Sequence, residues 1–231
     1  MEFAKLNFDG DFGQEYTPFK IISSFGKKFN EGFQGISYSM VLSKDKEKLF
    51  SVIPEKYRRH FVLTLMRINS FIPPHIDHEI KSAINFYVHT VNCVTQFYEE
   101  DHAARIDSAG VVFDANKMVK TNHFCAKDLD AYLLDVTKPH AVWDVGGKSQ
   151  EKQNDVIPLF ADAKVDDEFD LAKKDNSPTP TIRDKYGNII DYVSYEDIIP
   201  KMMRIAFCVQ SRDCSYDDVK EMLVQTGHLN S

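Results

Sequence analysis

Apolar residues in this chain come in runs of strand length, set apart by turn-forming residues. Phe61-Val-Leu-Thr-Leu-Met-Arg-Ile68 is an almost continuous example, and a run of that length between turn signals reads as a strand. Ala83 to Val91 alternates instead, with Ile84, Phe86 and Val88 on one face and Asn85 and Tyr87 on the other. Thr95 to Tyr98, Gly110 to Phe113, Ala131 to Val136 and Arg204 to Gln210 add further strands. Residues 1 to 40, rich in Phe, Gly and polar residues, read as short strands and loops. Only two stretches have helical character. Leu49 to Arg59 has helix-like spacing around Pro54, which starts or kinks a helix rather than sitting inside it. Tyr216 to Thr226 forms a closing helix capped by Gly227. Many short strands between turns favour an all-β sandwich or barrel over an alternating α/β fold.

A chain of 231 residues is long enough for one sizeable core, and its 43% of hydrophobic residues argues for globular folding. Residues 1–231 read as a single domain carrying a large insertion. Residues 144–200 differ in texture: they contain Gly146-Gly147-Lys-Ser, an acidic stretch from Asp162 to Asp170, and Asn176-Ser-Pro-Thr-Pro180. Connections this long in a compact domain are usually functional loops or lids. Phe160, Phe169, Tyr186, Tyr192 and Tyr195 point to partial folding there rather than a free linker. No internal repeat is visible.

The formal charge of −7 disfavours a nucleic-acid surface, whose footprint is net basic. Lys56, Arg58 and Arg59 make a small basic patch that reads as a solvated helix end. Four cysteines, Cys93, Cys125, Cys208 and Cys214, are scattered without Cys-x-x-Cys or zinc-like spacing. No stretch resembles a signal peptide or is long enough to span a membrane. The expectation is a cytoplasmic protein with free, buried thiols and neither a nucleic-acid nor a membrane partner.

Chemistry concentrates at His75-Ile-Asp77, set in Arg67-Ile-Asn-Ser-Phe-Ile-Pro-Pro-His-Ile-Asp-His78. Pro73-Pro74 reads as a rigid extended turn just before His75. In an extended segment residues i and i+2 point the same way, so His75 and Asp77 present an imidazole and a carboxylate together. Those are two ligands of the 2-His-1-carboxylate facial triad, which leaves coordination positions open on a non-haem Fe(II). His140, in Lys138-Pro-His-Ala-Val142, is the candidate third. His-x-Asp alone arises often by chance, and a structural or exposed pair is its bland reading; the context raises it.

That context runs from a strand to His75-x-Asp77, Ile84-Asn-Phe86, Asp135-Val-Thr-Lys-Pro-His140-Ala-Val142 and Arg204-Ile-Ala-Phe207. The order resembles the Fe(II)/2-oxoglutarate-dependent dioxygenases, particularly their prolyl-hydroxylase-like and aspartyl/asparaginyl-hydroxylase-like branches. The resemblance covers roughly residues 61 to 143 and 200 to 210. It implies a mainly β fold, a double-stranded β-helix (jelly roll) with flanking helices and a long insertion before the last core strand. It implies that His75, Asp77 and His140 bind Fe(II), and that 2-oxoglutarate chelates the metal while an arginine on the final strand clamps its far carboxylate. Arg204 is the candidate, sharing a strand face with Ala206 and Cys208 while Ile205, Phe207 and Val209 face away. A guanidinium is a permanent cation that can bind a carboxylate bidentately. Asn85 and Tyr87 are candidates for further cosubstrate contacts, internal hydrogen bonding being their alternative. The implied activity is O2-dependent hydroxylation of a peptide or protein side chain or of a small metabolite.

Two departures from the family pattern stand out. Arg204 lies 64 positions after His140, where a short turn is usual, so the insertion must return the chain in register. Lys148, Lys152 and Arg183 are rivals for the clamp. Ala206 stands where the family often has a hydroxyl residue. Other features have plain readings. His78 faces away from the site, and His89, His102 and His123 are exposed or hydrogen-bonded histidines. Trp143 packs in the core, Gly146-Gly147-Lys148 lacks the rest of a phosphate loop, and Asp166-Asp167-Glu168 lacks EF-hand spacing. Two other whole-chain readings compete: a non-catalytic jelly-roll binding module, and a cupin-like metal enzyme that needs no 2-oxoglutarate.

Overall fold

Alternation along the strands becomes two differently packed faces of one sheet. The computed structural model describes residues 2–14, 16–25, 36–68, 72–77, 79–91, 93–99, 104–107, 110–113, 118–144, 181–183, 189–192 and 204–230. Its strands are β1 (Phe3–Lys5), β2 (Tyr16–Phe25), β3 (Ile36–Ser43), β4 (Phe61–Ile68), β5 (Ile72–Asp77), β6 (Ser82–Thr90), β7 (Cys93–Tyr98) and β8 (Ala104–Asp107). They continue as β9 (Gly110–Phe113), β10 (Lys120–Phe124), β11 (Ala131–Leu134), β12 (His140–Asp144), β13 (Thr181–Arg183), β14 (Ile189–Tyr192) and β15 (Arg204–Ser211). One antiparallel sheet has the order β1-β11-β6-β15-β4-β3-β2, and a second has β10-β7-β12-β5-β9-β8. Strands β13 and β14 pair with each other. The chain is therefore mainly β, with antiparallel sheets and few helices.

On the outer face of the first sheet, Leu63, Leu65, Ile84, Phe86, Ile205, Phe207 and Val209 form one core. Helix α1 (Lys46–Phe50) and helix α2 (Tyr216–Gln225) cover it with Leu49, Phe50, Val219, Met222 and Leu223. Pro54 stands between α1 and a 3₁₀ turn over Glu55–His60, so the expected helix from Leu49 to Arg59 is two short pieces. Ser215 and Asp218 cap each other's backbone amides at the start of α2, and Gly227 follows its end at φ +77°, a left-handed conformation that suits glycine.

The inner face meets the second sheet. Met66, Tyr87, Tyr132, Ala206 and Cys208 pack there with Ile72, Phe97, Phe124 and Val142 from the opposite sheet, and the Phe124 and Tyr132 rings stack at 4.1 Å. Strand β15 lies between β4 and β6, with Arg204 opposite Ile68 on one side and Thr90 on the other. The chain thus returns in register after the long insertion. Apart from Asp144, 181–183 and 189–192, the insertion or lid expected over 144–200 lies outside the described residues. The turn expected at Pro73-Pro74 is corrected: both prolines lie within β5. Proline donates no ladder hydrogen bond, and the β5–β12 pairing shifts register between His140 and Val142.

Candidate functional site

His75 and His140 are direct neighbours across the β5–β12 pair, and Asp77 lies two residues past His75 on the same face of β5. The ligating atoms of His75, Asp77 and His140 all lie within 4.8 Å of one another, a grouping that could hold a metal ion. His75 Nε2 sits 3.3 Å from an Asp77 carboxylate oxygen, and the two imidazole centroids are 4.3 Å apart. The Lys138 carbonyl, 2.9 Å from His140 Nδ1, can only accept, so Nδ1 carries the proton and Nε2 keeps its lone pair for a metal. Both histidines are buried.

Burial decides the charge states. It pulls His140 down to about 4, with the nearby His75 adding to the effect and Asp77 and the Lys138 carbonyl opposing it. His140 is therefore neutral at pH 7, as a metal ligand must be. For Asp77 burial pushes upward, but the hydrogen bond from His75 and the charges of His140 and His75 outweigh it, and the carboxyl lies below its usual range. Burial, followed by the Asp77 charge, raises both the Tyr38 phenol and the Cys208 thiol, so both stay protonated.

The first sheet forms the cleft floor in cross-strand rows. Arg204 lies beside Ile68, Ala206 beside Met66 and Tyr87, and Cys208 beside Thr64 and Asn85; Tyr38 and Met40 of β3 extend the second and third rows. Arg204 is 1% exposed. Its Nη1 donates to Thr95 Oγ1 at 2.9 Å, and its Cζ sits 4.9 Å from the Tyr87 ring centroid. Among the described residues, the Nε and Nη2 of Arg204 have no hydrogen-bond partner. These nitrogens meet no carboxylate among the described residues, and a buried cation left so is costly, on the order of several kcal/mol. Arg204, Asn85, His75, Asp77 and His140 line one cleft with about 30 Å³ of free space, room for about one water.

No protein-family model, curated protein or solved structure matches this chain. The functional reading therefore rests on the cleft itself.

Sequence reasoning missed Tyr38 and Thr95. Tyr38 shares its β3 face with Met40 by the two-residue period, but nothing local says that this face looks onto Asp77. The Thr95–Arg204 hydrogen bond joins the two sheets and has no local signature. Other histidines stand apart: His89 Nδ1 is 3.7 Å from Asp128, and His123 is exposed on β10. Cys93, Cys208 and Cys214 are buried, whereas Cys125 is exposed, correcting the expectation of four buried thiols. His78, His102, Lys148, Lys152 and the side chains of Trp143 and Arg183 lie outside the described residues. Among the described residues no helix is long and apolar enough to cross a membrane.

Proposed function

We propose that this chain is an Fe(II)- and 2-oxoglutarate-dependent dioxygenase built on a double-stranded β-helix. The observation that carries the reading is Arg204: a buried cation with two nitrogens that find no partner among the described residues, sharing one cleft with the His-Asp-His set. Strand order supports the fold assignment. The series β11-β6-β15-β4 faces β10-β7-β12-β5, an eight-strand arrangement like that of a jelly roll.

The residues fit the groups the reading requires. His75, Asp77 and His140 would hold Fe(II), for which imidazole and carboxylate are suitable donors. Arg204 would take the far carboxylate of 2-oxoglutarate through its Nε and Nη2, with the Tyr87 hydroxyl and Asn85 as further polar contacts. Bound together with O2, these groups supply oxidative decarboxylation coupled to hydroxylation of a C–H bond. The chain's own part is positional. The Lys138 carbonyl fixes the His140 tautomer, the lowered Asp77 stays ionised, and the packed rows of Ala206 and Met66 keep water from Arg204.

Size favours a second reading. About 30 Å³ of free space cannot take a five-carbon keto diacid unless side chains such as Met66, which is intrinsically adaptable, move aside. A cupin-like metal enzyme without 2-oxoglutarate needs no such movement. Anaerobic titration with Fe(II) and then 2-oxoglutarate separates the two. We expect the weak visible charge-transfer band of a chelated keto acid, lost in His75→Ala and Asp77→Ala. Fe(II) binding without that band would favour the cupin-like reading, and absence of both would leave a binding module.

A further inference from the structure

A second concavity lies at the ends of β2, β3 and β4. It holds about 620 Å³, against about 30 Å³ in the His-Asp-His cleft, and the two share no described lining residue. Thr17 lies opposite Leu42 across β2 and β3, and continuing the β3–β4 register past Met40 and Thr64 sets Leu42 beside Val62. Leu42 is 65% exposed and Val62 49%, so this row stands outside the packed cores. Met40, Phe50 and Phe61 complete an apolar lining. The volume falls within the range of small-ligand pockets, roughly 300–1,000 Å³.

The charge on this groove has one sign. Lys44 and Lys46 line it, and no acidic side chain is among its described lining residues. The Lys46 ammonium stands 6.0 Å from the Phe50 ring centroid, which places it against the apolar wall, and it has no ion pair among the described residues. The neighbouring acids are engaged elsewhere: Asp45 accepts from the Gly13 amide at 2.7 Å, and Glu47 pairs with Arg58 at 3.4 Å. Residues 44 to 59 carry six basic side chains and three acidic ones, in a chain whose formal charge is −7. The groove is therefore a cationic, apolar spot on an acidic protein.

We propose that this groove binds an amphipathic anion: a long-chain carboxylate whose tail lies along Leu42, Val62 and Phe61 and whose head meets Lys46. Each half of the groove selects one end of such a molecule. A wholly apolar ligand would leave the lysines unused, and an inorganic anion would leave the apolar surface bare. Lysine suits the headgroup because its ammonium is a point charge on a flexible stem, able to follow a carboxylate at the exposed side. The site needs neither Fe(II) nor 2-oxoglutarate and stands apart from the dioxygenase reading.

The test is isothermal titration calorimetry of the full chain with octanoate, decanoate and dodecanoate, all below their micellar concentrations. Dodecyltrimethylammonium serves as the charge-reversed probe. Dodecanoate is expected to bind one to one, with each pair of methylenes removed weakening it by up to about tenfold. The cationic amphiphile should bind about tenfold more weakly than dodecanoate. Lys46→Gln should weaken dodecanoate about fivefold, as for loss of one exposed charge, and Lys46→Arg should retain it. Leu42→Thr combined with Val62→Thr keeps the β-branched preference of the strands and should weaken dodecanoate about tenfold. These positions are exposed, so the melting temperature and Fe(II) binding should not change. No binding, equal affinity for the two headgroups, affinity independent of chain length, or affinity that survives both sets of substitutions would overturn the proposal. The chain-length and headgroup comparisons use the unaltered protein and decide the matter even if a variant fails to fold. A dimer in light scattering that the double threonine variant dissociates would assign the groove to a second copy of the chain instead. Dodecanoate binding without the charge-transfer band would sink the dioxygenase reading alone, and the band without dodecanoate binding would sink this site alone.

Discussion

Burial prepares His140 for a metal at a cost that pH exposes. An unfolded chain holds this histidine at a pKa of roughly 6.5, whereas desolvation in the cleft, helped by His75, brings it to about 4. Between those values the unfolded state binds the proton and the folded state does not. Stability therefore rises with pH across that window and is lost as pH falls through it, levelling off below the folded value. The shift corresponds to about 3 kcal/mol at most. His228, also lowered by burial, acts in the same direction. Asp77 is depressed below the carboxylate range, so its contribution is present above its unfolded value and disappears only at lower pH, outside this window. Urea unfolding of the metal-free chain should show stability falling from pH 7 to pH 4, and the slope should shrink markedly in His140→Ala. An unchanged slope in that variant would assign the pH dependence to other groups.

Each strand of the first sheet separates stability from chemistry by its two faces. On β15, Ile205, Phe207 and Val209 join the helix-covered core, while Arg204, Ala206 and Cys208 face the cleft. Loosening the helical cover should lower stability without touching the site. Ser215→Ala removes the capping hydroxyl of α2 and should cost about 1 kcal/mol in chemical denaturation, with Fe(II) affinity unchanged. A large loss of Fe(II) affinity would mean that the faces are mechanically coupled. The alternation on β6 and β15 was legible in the sequence because strongly apolar and polar residues take turns there. Strand β10 was not legible: Lys120-Thr-Asn-His is exposed and only Phe124 is buried, so pairing with β7 rather than an apolar pattern makes it a strand. The three-residue β1 is likewise held by its pairing with β11. His75, Asp77 and His140 could be nominated from spacing and context. Their convergence depends on β5 and β12 becoming neighbours across more than sixty residues, which no local pattern encodes. The same limit hid Tyr38 and Thr95, whose roles exist only where two sheets meet.

Across the whole molecule, the candidate metal ligands and the candidate carboxylate clamp stand on opposite walls. His75, Asp77 and His140 belong to the second sheet and Arg204 to the first, and among the described residues the Arg204–Thr95 hydrogen bond crosses between those walls inside the cleft. A metal alone would tie β5 to β12 within one sheet, whereas a diacid reaching from that metal to Arg204 would join the two sheets. Ligands that bind only the folded state stabilise it by about 2.7 kcal/mol at a hundredfold excess over Kd. For a chain of this size that corresponds to a rise of roughly 5–10 °C in melting temperature. We expect Fe(II) under anaerobic conditions to give one such increment and 2-oxoglutarate to add a second only when Fe(II) is present. Arg204→Gln should keep the first increment and lose most of the second, while His140→Ala should lose both. A second increment that survives Arg204→Gln would place the far carboxylate elsewhere and remove Arg204 from the site. A diacid that stabilises the chain without metal would show that Arg204 binds carboxylates independently of the His-Asp-His set.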